Sequence, residues 1–187
     1  MCGHRIVTID GPSGGGKSTV SRALAARLGF TYLDTGAMDR AVAYKCRREG
    51  VDPQDEVRLG ALLGTTRIDL LPPAEGGDDV RVLLDGEEVG DLLRTPEMGL
   101  LASRVSAQPL VRRHLTRLQQ QIGEAGAVVA EGRDTGTVVF PRAAWKFYLD
   151  ASAEVRARRR AAQLRGKGEQ VDEERLLAEI VQRDRDD

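Results

Sequence analysis

A glycine-rich stretch near the beginning of the chain combines residue types that bind phosphate groups. Gly11 and, after four further residues, Gly16-Lys17-Ser18 match the spacing G-x-x-x-x-G-K-[ST] of a phosphate-binding loop. Glycines leave room for backbone N–H groups to wrap closely around a polyphosphate. The Lys17 ammonium can reach the β- and γ-phosphates, and the Ser18 hydroxyl can ligate a magnesium ion that bridges them. The stretch therefore predicts a nucleotide-binding site.

The elements on either side of this stretch support the same interpretation. A β-branched run from Ile6 to Ile9 predicts a strand, and Gly29 ends a following stretch of helical periodicity. The apolar residues at helical spacing are Val20, Leu24, Ala25 and Leu28. The positive end of such a helix points at the bound anion. The alternative, a flexible linker that happens to contain a lysine, would lack the predicted strand before the stretch and the predicted helix after it.

Two carboxylates at predicted strand ends are candidates to orient magnesium-bound water. Glu131 follows the apolar run 126–130, which is typical of a buried parallel strand, and Asp10 ends the first strand. Open α/β sheets bind ligands beyond the carboxyl ends of their strands. For each carboxylate the alternative is an exposed loop position.

Several arginines are candidates to neutralise phosphate groups. Arg133 offers a planar fork to a phosphate, and the neighbouring Asp134 can accept from an amino group or a ribose hydroxyl. Arg156, Arg159 and Arg160 share one face of a predicted helix. Phosphoryl transfer between two phosphates requires such cations. The alternatives are a surface ion pair at Arg133-Asp134 and a solvated helix face.

Composition limits the class of protein. The chain has 187 residues, a length suited to one domain, and its 41% apolar and 30% charged content is that of a globular protein. A net charge of −1 argues against a general nucleic-acid or membrane-surface binder. Two cysteines form no disulfide framework or metal-ligand spacing, and no signal peptide or membrane span is apparent. We therefore predict a cytoplasmic protein.

Helical and strand-like segments alternate along most of the chain, which predicts an α/β fold with a parallel sheet. The segment 65–96 differs, because two strand-like runs and the Asp85-Gly86 turn predict a small antiparallel insertion. Further strands are expected at 30–33, 126–130 and 145–149, and further helices at 37–49, 55–63, 95–107, 109–125, 152–164 and 172–187.

Four motifs together resemble the bacterial cytidylate kinases. They match in order and spacing: the stretch 11–18, Leu33-Asp34-Thr35-Gly36-Ala37-Met38, the run 131–141 that begins Glu-Gly-Arg-Asp-Thr-Gly, and Arg183-Asp184. The resemblance implies a three-layer P-loop kinase fold with a parallel β-sheet, an inserted antiparallel β region that binds the nucleoside monophosphate (NMP), and a helical lid. By this analogy the core comprises 1–36 and 97–151, the NMP-binding region 37–96, the lid 152–172, and the start of the C-terminal core 173–187.

The resemblance also implies an activity, the transfer of a phosphoryl group from ATP to CMP or dCMP with Mg²⁺, by a monomer that binds neither nucleic acid nor membrane. ATP-binding residues would be Gly11, Pro12, Ser13, Gly14, Gly15, Gly16, Lys17, Ser18 and Thr19, with Ser18 also a magnesium ligand. CMP-binding residues would be Thr35, Arg40, Ser103, Arg112, Arg133, Asp134, Arg183 and Asp187. Catalytic residues would be Lys17, Arg133, Arg156 and Arg159.

The chain departs from the family pattern in two places. Asp39 stands where the family usually has tyrosine, and its charge beside Arg40 is expected to weaken CMP binding. The sequence also stops at Asp187, where the family continues with a serine, an arginine and a final strand and helix. This indicates a shortened chain.

Other functions are compatible with the phosphate loop alone. One is a kinase of the same fold with a different acceptor, such as adenylate or shikimate. Another is a nucleotide-dependent switch, although the chain has no Asn-Lys-x-Asp motif for reading guanine. A third is a kinase fold that binds nucleotides without turnover.

Overall fold

The computed structural model describes residues 5–74, 80–166 and 168–186. Asp187, which the family resemblance assigns to the ribose, lies outside the described residues. The strands are β1 Ile6–Asp10, β2 Thr31–Asp34, β3 Ile68–Leu71, β4 Arg81–Leu84, β5 Glu87–Glu88, β6 Val128–Gly132 and β7 Trp145–Tyr148. The helices are α1 Lys17–Leu28, α2 Thr35–Arg48, α3 Glu56–Gly64, α4 Pro96–Ser106, α5 Pro109–Ala125, α6 Ala153–Gly166 and α7 Glu173–Asp186. A 3₁₀ turn spans Gly90–Leu93, and a π-helix spans Thr135–Val139.

The larger sheet has four parallel strands in the order β2-β6-β1-β7, and the smaller one has three antiparallel strands in the order β3-β4-β5. This confirms the predicted α/β class and the antiparallel insertion. The chain forms two compact units, residues 1–31 with 129–187, and residues 32–128.

In the first unit, β1 is buried along its whole length and pairs with β7 in parallel register, Val7 beside Trp145. The predicted helix α1 is confirmed, and Gly29 ends it in a left-handed conformation. Its buried residues, however, are the small Ser21 and Ala25, whereas Val20 and Leu28 are nearly half exposed. Small side chains on the buried face allow a helix to pack closely against its sheet.

In the second unit, the small sheet packs on α2. Buried Val82 and Leu84 of β4 contact Ala37 and Ala41 of α2, and Leu93 of the 3₁₀ turn completes this cluster. The alternation of buried and half-buried residues along β4 directs one face of the sheet towards the helix. Burial of this apolar face holds the insertion on α2.

A buried lysine fixes the hairpin turn to α2. Lys45 is 3% exposed and lies 2.8 Å from the Asp85 carboxylate, and it also donates to the Thr65 carbonyl oxygen. Asp85 has a φ of 54° at the hairpin turn and accepts a 2.9 Å hydrogen bond from the Arg67 N–H. Burial raises the pKa of the Asp85 carboxyl, but the hydrogen bonds from Arg67 and Lys45 and the charges of Lys45 and Arg48 outweigh it, so the pKa lies below its ordinary value.

We expect Asp85→Asn to lower the free energy of unfolding near neutral pH by about 1.5–3 kcal/mol, because Lys45 stays buried without its carboxylate. Asparagine tolerates the left-handed backbone at this turn. The depressed pKa means that the stabilisation is present above the unfolded pKa and is lost as pH falls through the folded value. In urea unfolding the two proteins should therefore differ most near pH 7, and the difference should shrink as the pH falls through and below the ordinary pKa range of an aspartate.

Glu88→Gln is the matched control, because Glu88 pairs with Arg81 in the same hairpin at an exposed position. Its loss should leave the free energy of unfolding nearly unchanged, because solvent screens an exposed ion pair. An Asp85→Asn difference that persisted undiminished in acid would contradict this account of the turn.

Within the described residues, every helix is too short or too polar to cross a membrane.

Candidate functional site

The backbone of the glycine-rich loop is set by its fit against the strand next to it. Gly11 has a φ of 142°, and a Cβ built on it would lie 2.0 Å from the Leu149 carbonyl oxygen. No side chain fits there without moving Leu149, the residue that follows β7. Gly15 N–H donates to the Pro12 carbonyl oxygen, and Gly16, with a φ of 96°, caps the first turn of α1. The loop is therefore a wrapped turn that leads directly into a helix, as the motif predicts.

The beginning of α1 is suited to an anion. Lys17 is the first helical residue, and its Nζ lies 2.8 Å from the Pro12 carbonyl oxygen, so the ammonium folds back across the loop. The first turn contains no acidic residue. Its N–H groups and the positive end of the helix dipole are thus not opposed by a carboxylate of the turn itself.

Glu131 lies beside the loop. The Ser18 hydroxyl donates a 2.8 Å hydrogen bond to Glu131 Oε1, and Glu131 is buried at the carboxyl end of β6. A hydroxyl and a carboxylate in contact are oxygen donors of the type that Mg²⁺ prefers.

Asp10, the other candidate carboxylate, is engaged elsewhere. Its Oδ1 accepts from the Thr135 N–H at 2.8 Å and from the Thr135 hydroxyl at 2.6 Å, and its Oδ2 accepts from the Gly136 N–H at 2.8 Å. Between the two carboxylates that the sequence left as alternatives, Glu131 is the one that contacts the phosphate loop.

Arg156 is the buried member of the arginine cluster. It is 4% exposed and forms a two-pronged ion pair with Asp184 of α7. It also donates to the carbonyl oxygens of Ser13, in the loop, and Ala151. The hydrogen bond to Asp184 raises the pKa of the Arg156 guanidinium. Arg156 therefore ties the phosphate loop to α6 and α7.

Arg159 lies on the same helix but faces the loop from the exposed side. A Cβ built on Gly16 would be 3.9 Å from Arg159 Nη1, so the guanidinium lies close to the beginning of α1. One turn apart on α6, the two arginines thus have different surroundings. Arg156 is committed to protein contacts, whereas Arg159 lies where an anion on the loop would be.

A cavity of about 490 Å³ opens beside the loop. Its charged lining consists of Arg133, Arg156, Asp150 and Asp184, and the remaining lining residues include Gly11, Pro12 and Tyr148. The cavity brings Arg133, at the end of β6, to the same space as the loop. Its mixed charges suit a polar ligand better than an apolar one.

A sequence model of cytidylate kinases matches residues 7–187, from the second residue of β1 onward. The chain belongs to the cytidylate kinase family. The resemblance drawn from the four motifs is thereby confirmed.

Curated relatives agree with this assignment. The chain is 48% identical over 182 residues to the cytidylate kinase of Citrifermentans bemidjiense, covering 97% of the chain and 77% of that protein. It is 50% identical over 179 residues to that of Syntrophotalea carbinolica, covering 96% of the chain and 75% of the relative. A bifunctional pantoate ligase/cytidylate kinase of Synechococcus elongatus is 48% identical over 184 residues, covering 97% of the chain and 35% of that longer protein.

Four of the residues that the cytidylate kinase motifs assign to CMP lie in the second unit. Thr35 begins α2 and is buried, and Arg40 follows on the same helix, where its Nη2 is 3.3 Å from Asp34 Oδ2. Asp34 also caps α2 by accepting from the Ala37 N–H. Ser103 is half-buried on α4, which packs on α2 and α5, and Arg112 is exposed on α5.

The other described residues assigned to CMP lie in the first unit. Arg133 and Asp134 are half-buried between β6 and the π-helix, and Arg183 is half-buried on α7. Sequence reasoning missed the structural roles of three carboxylates that organise these neighbourhoods, Asp10, Asp34 and Asp184, although it named Asp10 as a candidate to orient magnesium-bound water. Only Asp34 had a local signal, since an aspartate before a helical pattern is a typical N-cap.

Proposed function

We propose that the chain transfers the γ-phosphoryl group of ATP to CMP or dCMP, giving ADP and CDP or dCDP. The observation that carries the proposal is the set of side chains at the carboxyl end of β6. Glu131, at the end of β6, accepts a hydrogen bond from Ser18 of the phosphate loop, and Arg133-Asp134 follows two residues later. Groups suited to the donor nucleotide and to a phosphorylated pyrimidine thus leave the sheet at the same point.

Catalysis would rest on positioning and charge neutralisation. An oxygen of the CMP phosphate, already anionic near neutral pH, attacks the γ-phosphorus, and the bond to the β–γ bridging oxygen breaks, with its electron pair leaving on ADP. The loop N–H groups and Lys17 would hold the donor phosphates, and Arg159 would stabilise charge on the transferring group. Arg156 would hold the loop through Ser13 rather than reach the phosphates while it is paired as in this structure.

Mg²⁺ fits the residues beside the loop. Ser18 supplies a hydroxyl ligand and Glu131 a carboxylate that would orient metal-bound water. The described residues contain no group of three or more His, Cys, Asp or Glu side chains that could hold a metal ion. When bound, it neutralises phosphate charge and orients the β- and γ-phosphates.

The CMP-binding residues are proposed from the positions that match the family motifs. Five residues are proposed to bind chiefly its phosphate: Thr35, Arg40, Arg112, Arg133 and Arg183. Ser103, Arg112 and Asp134 would read the cytosine edge, and Asp187 would meet the ribose. Asp134 would accept from the exocyclic amine of cytosine, a donor that uracil lacks. The effect proposed for Asp39 stays a prediction, and Asp34 also places a carboxylate beside Arg40.

The same proposal includes the NMP-binding region, the lid and the oligomeric state of the protein. Residues 37–96 would bind NMP and 152–172 would form the lid, both parts of a monomeric cytoplasmic enzyme. Size-exclusion chromatography with light scattering tests the monomer, and a mass of twice 20.3 kDa would contradict it.

The test is ADP formation from magnesium-ATP with CMP, dCMP, UMP or AMP, and with no acceptor. We expect kcat/KM for CMP and dCMP to exceed that for UMP and AMP at least about tenfold. Equal turnover with AMP would indicate a different kinase of the same fold. ADP formation without an acceptor would indicate a switch-type hydrolase, and ATP binding without any turnover would reject the activity for this chain.

A further inference from the structure

The Asp10 side chain connects two loops that carry different parts of the proposed site. Gly11, the residue after Asp10, begins the phosphate loop. The Asp10 carboxylate accepts three hydrogen bonds, two from Thr135 and one from Gly136. Asp10 is buried, and it is separated from these partners by 125 and 126 residues along the chain. Its contacts therefore fix a long-range junction.

The partners of Asp10 form the beginning of the π-helix 135–139, a rare element that is frequent at functional sites. The N–H groups of Thr137, Val138 and Val139 all point at the Asp134 carbonyl oxygen, at 3.2, 2.8 and 3.4 Å. The backbone of Asp134 is thus held by the helix, and the first N–H groups of the helix are held by Asp10. A shift at Asp10 would move Asp134 with the turn.

Close packing reinforces this junction. A Cβ built on Gly136 would lie 2.7 Å from Thr8 Oγ1 and 3.2 Å from Asp10 Oδ2. The π-helix can therefore approach β1 this closely only with glycine at 136. Within the described residues, Thr8 Oγ1 is buried with no hydrogen-bond partner, so the hydrogen bonds at this contact are those of Asp10.

We propose that Asp10 is a positioning residue that sets the placement of Arg133 and Asp134 relative to the phosphate loop. This role of Asp10 rests on the proposed function, because it is an effect on recognition of the phosphoryl acceptor. Asp10 touches neither nucleotide in this role. Its loss should raise KM for CMP and reduce the preference for CMP over UMP, while KM for ATP stays nearly constant.

Two variants test the role at different strengths. Asp10→Asn replaces one acceptor oxygen by an NH₂ group that faces an N–H donor. Thr135→Val removes only the hydroxyl that donates to Asp10 Oδ1, and Thr135→Ser, the matched control, keeps that hydroxyl. We expect KM for CMP to rise about tenfold in Thr135→Val and further in Asp10→Asn, with Thr135→Ser close to the parent chain.

The measurements are KM for CMP, KM for ATP, kcat/KM for CMP and UMP, and Tm of each variant. Equal increases in both KM values, or a lower Tm with unchanged KM for CMP and unchanged CMP/UMP preference, would overturn the proposal. If Asp10→Asn fails to fold, Thr135→Val decides alone, and a Thr135→Ser defect as large as that of Thr135→Val would also overturn it. Failure of the proposed function is recognised separately, since the parent chain would then show no CMP phosphorylation.

Discussion

Lys17→Met is expected to lower kcat with CMP about a thousandfold, because it removes the cation that the phosphate loop offers to the β- and γ-phosphates. Lys17 Nζ lies 2.8 Å from the Pro12 carbonyl oxygen, so the ammonium is held over the loop by a short contact within it. Methionine keeps much of the aliphatic length and loses only the charge and its donors. Steady-state ADP formation at saturating ATP and CMP measures the loss.

Lys146→Met provides a matched control. Lys146 also donates to the carbonyl oxygen of a proline five residues earlier, Pro141, at 2.6 Å, but it lies on β7, and its aliphatic chain packs near Gly136, a contact that methionine can keep. The control loses the same kind of contact and the same charge, and we expect kcat to remain within about threefold of the parent value. Comparable losses in both variants would show that Lys17 matters for the fold and not for phosphate binding.

The phosphate loop was predictable because its chemistry is local. Gly11, Gly16, Lys17 and Ser18 act within one turn and the helix that follows, so their spacing alone indicates the backbone path and the ligand class. The antiparallel insertion was predictable for a similar reason, since Asp85-Gly86 is a strong turn signal directly after an apolar run.

The roles of Asp10 and Asp184 were not predictable, because their partners are distant in sequence. Asp10 reaches Thr135 and Gly136 across the first unit, and Asp184 reaches Arg156 from another helix. From the sequence, Asp10 looked as suitable as Glu131 for orienting magnesium-bound water. Only the packing of β1 against the π-helix, which takes up both Asp10 oxygens, separates the two carboxylates.

Helical spacing likewise grouped Arg156 and Arg159 on one face of α6 without distinguishing their surroundings. Arg156 and Arg159 lie one turn apart, and spacing predicts equivalent phosphate contacts for both. Burial makes the difference, since Arg156 is enclosed by Asp184, Ala151 and the Ser13 carbonyl oxygen. A buried arginine with these partners stabilises the fold around the loop, whereas an exposed one remains available to a ligand.

This difference predicts opposite results for the two arginines. Arg159→Met is expected to lower kcat about a thousandfold, because it removes an arginine that would stabilise the charge on the transferring phosphoryl group. Tm and KM for ATP should change little. Arg156→Met should instead lower the free energy of unfolding by about 2–4 kcal/mol, because Asp184 and two carbonyl oxygens lose their donor. Arg158→Met is the control, since Arg158 is exposed on α6 and turned about 100° from Arg159, and it should change neither kcat nor the free energy of unfolding.

Kinetics and thermal unfolding of the three variants, measured side by side, separate the roles. A similar fall in kcat for Arg158 and Arg159 would mean that the helix supplies only general positive charge, whereas the position of Arg159 beside Gly16 requires the loss to be specific to that residue.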